Sequence, residues 1–468
     1  MFRGGVTLGA LLAAAVVALV APVDHTPYLR TPYFKTTSER LDRALKESAP
    51  ARGSVRAGFA RVRLTPTLAS GADRDVPQLG RFRRVPLAGY GARQGRPAEG
   101  VTEDVWVKAL ALEVGSHRMV WMAMDALIVP REVADAAAAQ LTTEAGLKRS
   151  ELYFGATHTH SSLGSWGEGW VAEAFAGGYQ PGIRTWMSQC LVEAARGAIS
   201  NMAPATVASG SFHAAAGVRN RLVGELGRVD DQFSVLAVRQ NAGGFAVLGS
   251  YGAHATVFGA DNMRFHRDYP GAWAAGVEEA TGGMALFMAG AVGSLSARTE
   301  SGTAAERAER LGRSLAERTR ELLSRLQFHS ETEWAAVTVE TALPELNWRV
   351  HDALRLRPWA ARRLLPVHPD TLLQAVRIGN AVWVSTPCDF SGELALNLRE
   401  HAATAGRDLT VTSFNGDYIG YVIPGKYYHL GGYEPQTMSF FGPTVPDYFE
   451  DLLRRAIDGV GVMGAGAR

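Results

Sequence analysis

At 468 residues, 47% hydrophobic and 20% charged, the chain has a globular composition and enough length to bury a large core. A formal net charge of +2 excludes the basic footprint of a nucleic-acid-binding protein. The two cysteines, Cys190 and Cys388, provide neither a disulfide framework nor a CxxC metal site.

A short positive start, Met1-Phe2-Arg3, runs into an apolar stretch from Gly4 to Val23. That length suits a signal peptide or a transmembrane anchor. Ala21 is followed by Pro22, a poor cleavage site, which favours an uncleaved anchor over residues 1–23. Arg3 on the short side places the remainder outside the cytoplasm, membrane-anchored or secreted. Residues 24–54 are polar and read as a stalk or packing arm with a helix from Ser38 to Glu47. The catalytic or binding domain is expected over residues 55–468.

This domain opens with the alternating strand Val55–Val62, stopped by Thr65-Pro66. Strands at 107–114 and 118–124 form a hairpin through Gly115-Ser116, and the second ends at Asp125, either a site carboxylate or a cap. An Ala-rich helix over 131–147 precedes the apolar strand Tyr153–Ala156 and the stretch Thr157-His158-Thr159-His160. Residues two apart on an extended chain face the same way, so His158 and His160 look into one site from a strand end. The loop 161–180, with Trp166, Trp170, Phe175 and Tyr179, either lines an apolar pocket or packs on the surface. After a helix over 183–201 and strands near 205–212, 233–239 and 245–252, a second strand runs directly into a histidine, His254. Helix 271–280, strand 284–288, the small-residue turn 290–296 and a charged amphipathic helix over 304–326 follow. Strands near 334–339, 372–378, 381–385 and 409–413, a helix at 391–403, an aromatic loop over 416–443 and a helix from Val445 complete the chain. The alternation predicts an α/β fold, a single large mixed-sheet domain with flanking helices.

A metal ion with an open position needs three or four nitrogen or oxygen ligands. The strand ends offer, in chain order, Asp125, His158, His160, His254, then Asp389 or Glu393, then tyrosines of the 418–433 loop. Neither an HExxH helix nor a GxSxG elbow is present.

The stretch Gly155-Ala156-Thr157-His158-Thr159-His160-Ser161 resembles the GTHTHSGPG motif of the neutral/alkaline (non-lysosomal) ceramidase family. Other segments fall in that family's order, among them Arg219-Asn220-Arg221, Val229-Asp230-Asp231-Gln232-Phe233, Ala253-His254-Ala255-Thr256, Asp268-Tyr269-Pro270-Gly271 and Tyr433-Glu434…Phe441-Gly442-Pro443. The resemblance covers roughly residues 55 to 460. It implies a zinc site (Zn2+) with ligands His158, His254, Asp389 and Tyr421, Asp389 standing where the family has a glutamate and Glu393 being the fallback. It also implies catalytic roles for His160 and Arg221 at the developing oxyanion and a substrate contact for Ser296. The implied reaction is cleavage of the amide of a ceramide-like N-acyl lipid to fatty acid and amine, with the membrane as the partner of the N-terminal segment. A non-catalytic zinc- or lipid-binding domain of the same fold, or a hydrolase of another N-acyl amide or ester, is the alternative. The family's GDVSPN motif appears here as Gly293-Ser294-Leu295-Ser296-Ala297-Arg298, and its GPG as Ser162-Leu163-Gly164. Only residues 444–468 follow Gly442-Pro443, so the resemblance implies a shortened member without the family's C-terminal immunoglobulin-like domain.

Overall fold

The computed structural model describes residues 18–69 and 74–461. A mixed twelve-stranded sheet organises them, and helices cover its outer faces. Its hub is β1 (Ala51–Arg63), longer than the apolar alternation alone indicates. Along Val55–Arg63 it pairs with β2 (Trp106–Val114), which turns through Gly115 at φ 58° into β3 (His117–Met124). Parallel to β3 lies β4 (Leu152–Ala156).

Arg56 and Ala57 of β1 also pair with β5 (Ala203–His213), which leads to β6 (Gln232–Gln240), β7 (Phe245–Tyr251) and, parallel to β7, β8 (Met284–Ala289). The start of β1 pairs with β9 (Glu331–Ala342). That strand leads to β10 (Asp370–Ile378), β11 (Ala381–Ser385) and, parallel to β11, β12 (Asp408–Thr412).

Strand periodicity sorts the core. In β2, Leu110 and Leu112 point into an inner cluster with Trp121, Tyr153, Leu236, Leu248 and Leu286, so the arms on either side of β1 face each other. At Gly155 the approach is so close that a Cβ would lie 2.7 Å from Met288 Sδ. The alternate residues Val107, Ala109 and Ala111 point outward, beneath helices over 131–145 and 181–200. Each fully buried Leu or Phe side chain contributes roughly 1.5–3 kcal/mol of transfer free energy.

The segment ahead of β1 packs on the domain. Helix α1 (Pro32–Glu47) starts earlier than its charged pattern suggests, because Thr31 accepts a hydrogen bond from Phe34 N–H and Pro32 opens the first turn. Its buried Leu41 joins the core formed with the C-terminal helix over 445–461 and the β9–β12 strands. Val20–Pro22, the end of the apolar run, pairs antiparallel with Leu354–Leu356. Of the anchor or signal segment expected over 1–23, residues 1–17 lie outside the described residues. No helix among the described residues is long and apolar enough to cross a membrane.

Besides a short helix at Pro358–Leu364, further helices are α2 (Arg131–Ala145), α3 (Trp170–Ala176), α4 (Pro181–Ser200), α5 (Asp268–Thr281), α6 (Ala304–Leu323), α7 (Gly392–Ala403) and α8 (Val445–Gly461). Of these, α6 is set by a capping box in which Thr303 and Glu306 satisfy each other's backbone N–H groups. Three parallel pairs, β3–β4, β7–β8 and β11–β12, carry the site: His158 follows β4, His254 follows β7 and Asp389 follows β11. The carboxyl ends of parallel strands have backbone groups without ladder partners and loops free to vary, which is where α/β folds place ligands.

Candidate functional site

Three buried imidazoles converge at these strand ends. His158 Nε2 lies 2.8 Å from His254 Nε2, and His160 Nε2 lies 3.4 Å from His158 Nε2 and 3.2 Å from His254 Nε2. His158 has φ 61°, a left-handed conformation that costs energy for a residue with a Cβ. Its ring stacks on Phe414, 4.0 Å between centroids and 7° between planes, and Phe414 itself has φ 63°. Two strained backbones, one after β4 and one after β12, thus fix one ring. On its far side His158 Nδ1 lies 2.6 Å from the Leu127 carbonyl.

Burial pushes the basicity of His158 down to about 3 and lowers that of His160 and His254 well below the ordinary histidine range. For His160 the neighbouring His158 and then Arg221 add to burial; for His254 Arg221 and then His158 do. All three rings are therefore neutral near pH 7, the form in which a histidine binds metal.

Asp389 is brought to this group. The short pairing of Asp389–Phe390 with Tyr421–Val422 sets it beside Tyr421. Its Oδ1 lies 3.7 Å from His158 Nε2 and 3.9 Å from His254 Nδ1, and Oδ2 accepts a hydrogen bond from Tyr418 OH at 2.9 Å. Burial raises the Asp389 carboxyl to about 7, against the lowering pull of Arg221 and the hydrogen bonds of Tyr418 and Tyr421. Oδ1 is buried and accepts no hydrogen bond among the described residues. Three convergent neutral nitrogens and an orphaned carboxylate oxygen are a donor set that fits a divalent ion such as zinc.

Glu393 points elsewhere: Tyr427 OH donates to its Oε1 at 3.0 Å, and Lys426 Nζ lies 2.9 Å from its Oε2. Of the two carboxylates left open by the sequence, Asp389 is the one beside the histidines.

Arg221 and Tyr421 also meet. Arg221 Nη2 donates to Tyr421 OH at 2.9 Å, and Arg221 Nε lies 2.9 Å from Glu434 Oε1. Burial works against the Arg221 charge, but Tyr421, Glu434 and Asp389 outweigh it and hold the guanidinium protonated. Ser296 is not drawn into this group. It lies opposite Arg219 in the pairing of Leu295–Ala297 with Val218–Asn220, its Oγ accepts from Arg219 Nε at 3.3 Å, and it lines neither cavity at the histidines. Asp125 is a cap: its Oδ2 accepts from Trp106 N–H at 2.9 Å, and burial raises it to about 6 against the opposing fields of Arg267 and Lys108.

Two groups escaped the sequence reading. Arg93, 1% exposed, donates to the carbonyls of Ala88, His160, Gly259 and Ala260 and so ties two loops to the His160 backbone. Helix α3 was hidden in the loop after the histidines. Its Trp170, Val171 and Phe175 line a cavity of about 540 Å³ whose floor includes His160, His254, Arg221 and Tyr421. A narrow extension reaches His158 and Asp389, and Phe175 also borders a separate cavity of about 340 Å³ on the Trp166 side.

Gly89, at φ 110°, supports His160 from below, and a Cβ there would lie 2.4 Å from His160 Nδ1. Gly89→Ala is expected to displace that ring and lower turnover about 10²-fold, the cost of an ångström-scale misplacement. Unchanged kcat in a folded Gly89→Ala protein would contradict a role for His160 position.

Residues 75–305 match the family model of the neutral/alkaline non-lysosomal ceramidase N-terminal region, a span holding all three histidines and Arg221 but not Asp389 or Tyr421. The crystal structure of neutral ceramidase from Pseudomonas aeruginosa is similar in fold, with TM-score 0.72 and 17% identity over 86% of this chain and 74% of that one. A structure described as ceramidase complexed with C2 gives TM-score 0.72 and 15% identity over 86% of this chain and 75% of that one. No curated protein sequence matches the chain.

Proposed function

We propose that this chain, a divergent relative of the neutral/alkaline non-lysosomal ceramidases, is a metal-dependent amidohydrolase of N-acyl lipids of the ceramide type. The observation that carries the reading is the placement of three neutral imidazoles, 2.8 to 3.4 Å apart at Nε2, on the floor of an apolar cavity beside a fixed cation. When bound, a divalent ion such as zinc acidifies water and polarises a carbonyl. His158 and His254 would hold it, with the third protein ligand drawn from the His160, Asp389 and Tyr421 set.

The chain's own groups then divide the work. Trp170, Val171 and Phe175 bury a hydrocarbon chain and leave the amide over the histidines. Arg221, held by Glu434, and the Tyr421 hydroxyl present hydrogen-bond donors where the carbonyl oxygen gains negative charge. Water oxygen bonds to the carbonyl carbon, the C–N bond breaks, and a water proton ends on the departing amine nitrogen. Ser296 has no part in this reading, since Arg219 holds its hydroxyl. In the same reading, the apolar segment ahead of residue 24 keeps the domain at a membrane surface on the extracytoplasmic side, close to a lipid substrate.

Release of fatty acid from N-acylsphingosine, compared with short N-acyl amides and with esters, tests the reaction class. Amide cleavage that rises with acyl length is expected. A metal-loaded protein that cleaves none of them would overturn the proposal and point to a binding role. Phe175→Ala is expected to raise KM for long-chain substrates about 10-fold and to leave short-chain amides nearly unaffected, the scale set by losing apolar contacts in a pocket. An equal effect on both lengths would remove Phe175 from the chain-binding surface.

A further inference from the structure

We infer that the rim of the cavity of about 540 Å³ is a membrane-docking face, and that its partner is the anionic surface of a phospholipid bilayer. The inference rests on the lipid-substrate reading above and names the surface that would bring the cavity to its substrate.

The apolar run that starts at Gly4 ends on this rim. Residues 1–17 lie outside the described structure; beyond them Val20–Pro22 pairs antiparallel with Leu354–Leu356, and Arg357 N–H donates to the Leu19 carbonyl at 2.8 Å. Leu354–Leu356 pairs in turn with Arg349–His351, which completes a three-stranded sheet. That sheet is fixed to the cavity mouth. Trp348, the residue before it, lines the cavity and donates from Nε1 to the Thr437 carbonyl at 3.0 Å. Arg349 is buried and donates to the carbonyls of His429 and Leu430, in the loop that leads to Tyr433. After Leu356 the chain enters the helix Pro358–Leu364, whose end abuts the start of α3: a Cβ on Gly169 would lie 2.8 Å from Pro366 Cδ and 3.6 Å from the Leu364 carbonyl. A bilayer that accepts the apolar run would therefore meet the sheet, the helix and the mouth together.

The side chains presented there suit that contact. Of the large hydrophobic side chains exposed among the described residues, all but Leu29, Leu79 and Leu226 belong to this sheet, this helix and the mouth loops. Leu354, Trp359 and Leu364 stand out from the sheet and helix, and Trp170 and Tyr433, 67% and 50% exposed, stand at the mouth itself. Exposed apolar groups gathered on one face mark a contact surface, and Trp and Tyr are the side chains that settle at the headgroup level of a bilayer. Charge singles out lipid as the partner. Between residues 349 and 363 the sequence holds five arginines against one acid, Asp352. Arg362 and Arg363 are exposed beside Leu364, where their stems can lie on apolar surface while the guanidinium groups reach phosphates. Arg362 also meets Glu345 at 2.9 Å, a solvent-exposed pair that contributes little and that headgroups can replace.

The test uses the full chain with vesicles of equimolar phosphatidylcholine and phosphatidylglycerol. Cys190 and Cys388 are buried, so an environment-sensitive fluorophore on Trp359→Cys, Leu354→Cys or Ala242→Cys reports one position. Ala242 is exposed in the turn ahead of β7, at the opposite end of that strand from His254. Labels at positions 354 and 359 are expected to shift to the blue on vesicles and to lose emission to nitroxides on the upper acyl chain, and the label at 242 to do neither. Adding Arg362→Gln and Arg363→Gln is expected to lower the ratio of docked to undocked protein about 5-fold per arginine, the scale of a basic side chain at an anionic surface. Labels at 354 and 359 quenched no more than that at 242, or a chain that does not associate with the vesicles, would overturn the docking face. Labels already shielded without lipid, in a chain that sediments as a dimer, would assign the face to a second copy and overturn it too. Should Trp359→Cys not fold, Leu354→Cys decides alone by the same criterion. Turnover enters none of these readouts: a chain that docks and cleaves no N-acyl amide would overturn the amidohydrolase reading and leave the face, and one that cleaves without docking would do the reverse.

Discussion

Replacing His254 by alanine is expected to abolish both metal binding and amide hydrolysis while the fold survives. His254 follows β7, and its Nε2 lies 2.8 and 3.2 Å from those of His158 and His160, so its removal breaks two of the three imidazole pairings at the centre. Loss of an outer partner of a metal site costs about 10–100-fold in affinity or activity, and loss of a ligand is expected to exceed that range. The ring contributes little to the core: beyond the other two imidazoles and Asp389 its polar contact is the Val292 carbonyl at 3.5 Å, and its own burial as a polar group is unfavourable without a ligand. The apo-form of His254→Ala should therefore be at least as stable to urea as the apo-form of wild type. Turnover within 10-fold of wild type, an order-of-magnitude threshold, would remove His254 from the centre.

Arg93→Ala carries the second large expectation, and it acts on stability. The guanidinium is buried among backbone carbonyls of Ala88, His160, Gly259 and Ala260 and lies 4.8 Å over the Tyr90 ring. Burial pushes its basicity down to about 10, and Tyr90 and Asp261 partly offset this, so it stays charged at neutral pH. Alanine leaves several buried carbonyls without donors and a cavity beneath the His160 backbone. Each orphaned group costs about 1–3 kcal/mol, and the sum is expected to be about 3–5 kcal/mol after relaxation. Equilibrium urea denaturation measures it. Arg93→Lys should recover only part of the loss, because an ammonium cannot span the same carbonyls. A change below about 1 kcal/mol in Arg93→Ala would contradict the bracing role.

What the sequence revealed follows from the range of the forces involved. The strands that end in His158 and His254 were legible because an apolar run followed by a histidine is a local pattern, and period-two alternation sets which face each residue takes. The hairpin at Gly115 and helices α2, α4, α5 and α7 were legible for the same reason, with boundaries displaced by only a few residues at most. Strand-end position offered Asp389 or Glu393 and the tyrosines of the 418–433 loop, and the family resemblance alone singled out Asp389 and Tyr421, since their proximity depends on a two-residue parallel pairing that hydropathy does not mark.

Arg93 was illegible. A buried arginine satisfied by carbonyls of distant loops has the same local sequence as a solvated one among many. Helix α3 is seven residues between Gly169 and Gly177, too short for periodicity to register. The strand Val20–Pro22 is defined by a partner at Leu354–Leu356, and in sequence it is indistinguishable from the end of an apolar run. Ser296 came from a motif of which only the serine remains, and in the structure its hydroxyl accepts from the cross-strand neighbour Arg219.

The most direct test of the central claim is fatty-acid release from N-acylsphingosine by the full chain, measured before and after metal removal and again after zinc is returned. The account predicts amide cleavage with about one divalent ion per chain, loss of turnover on chelation, and recovery with zinc. Cleavage that continues unchanged in the metal-free protein would contradict it.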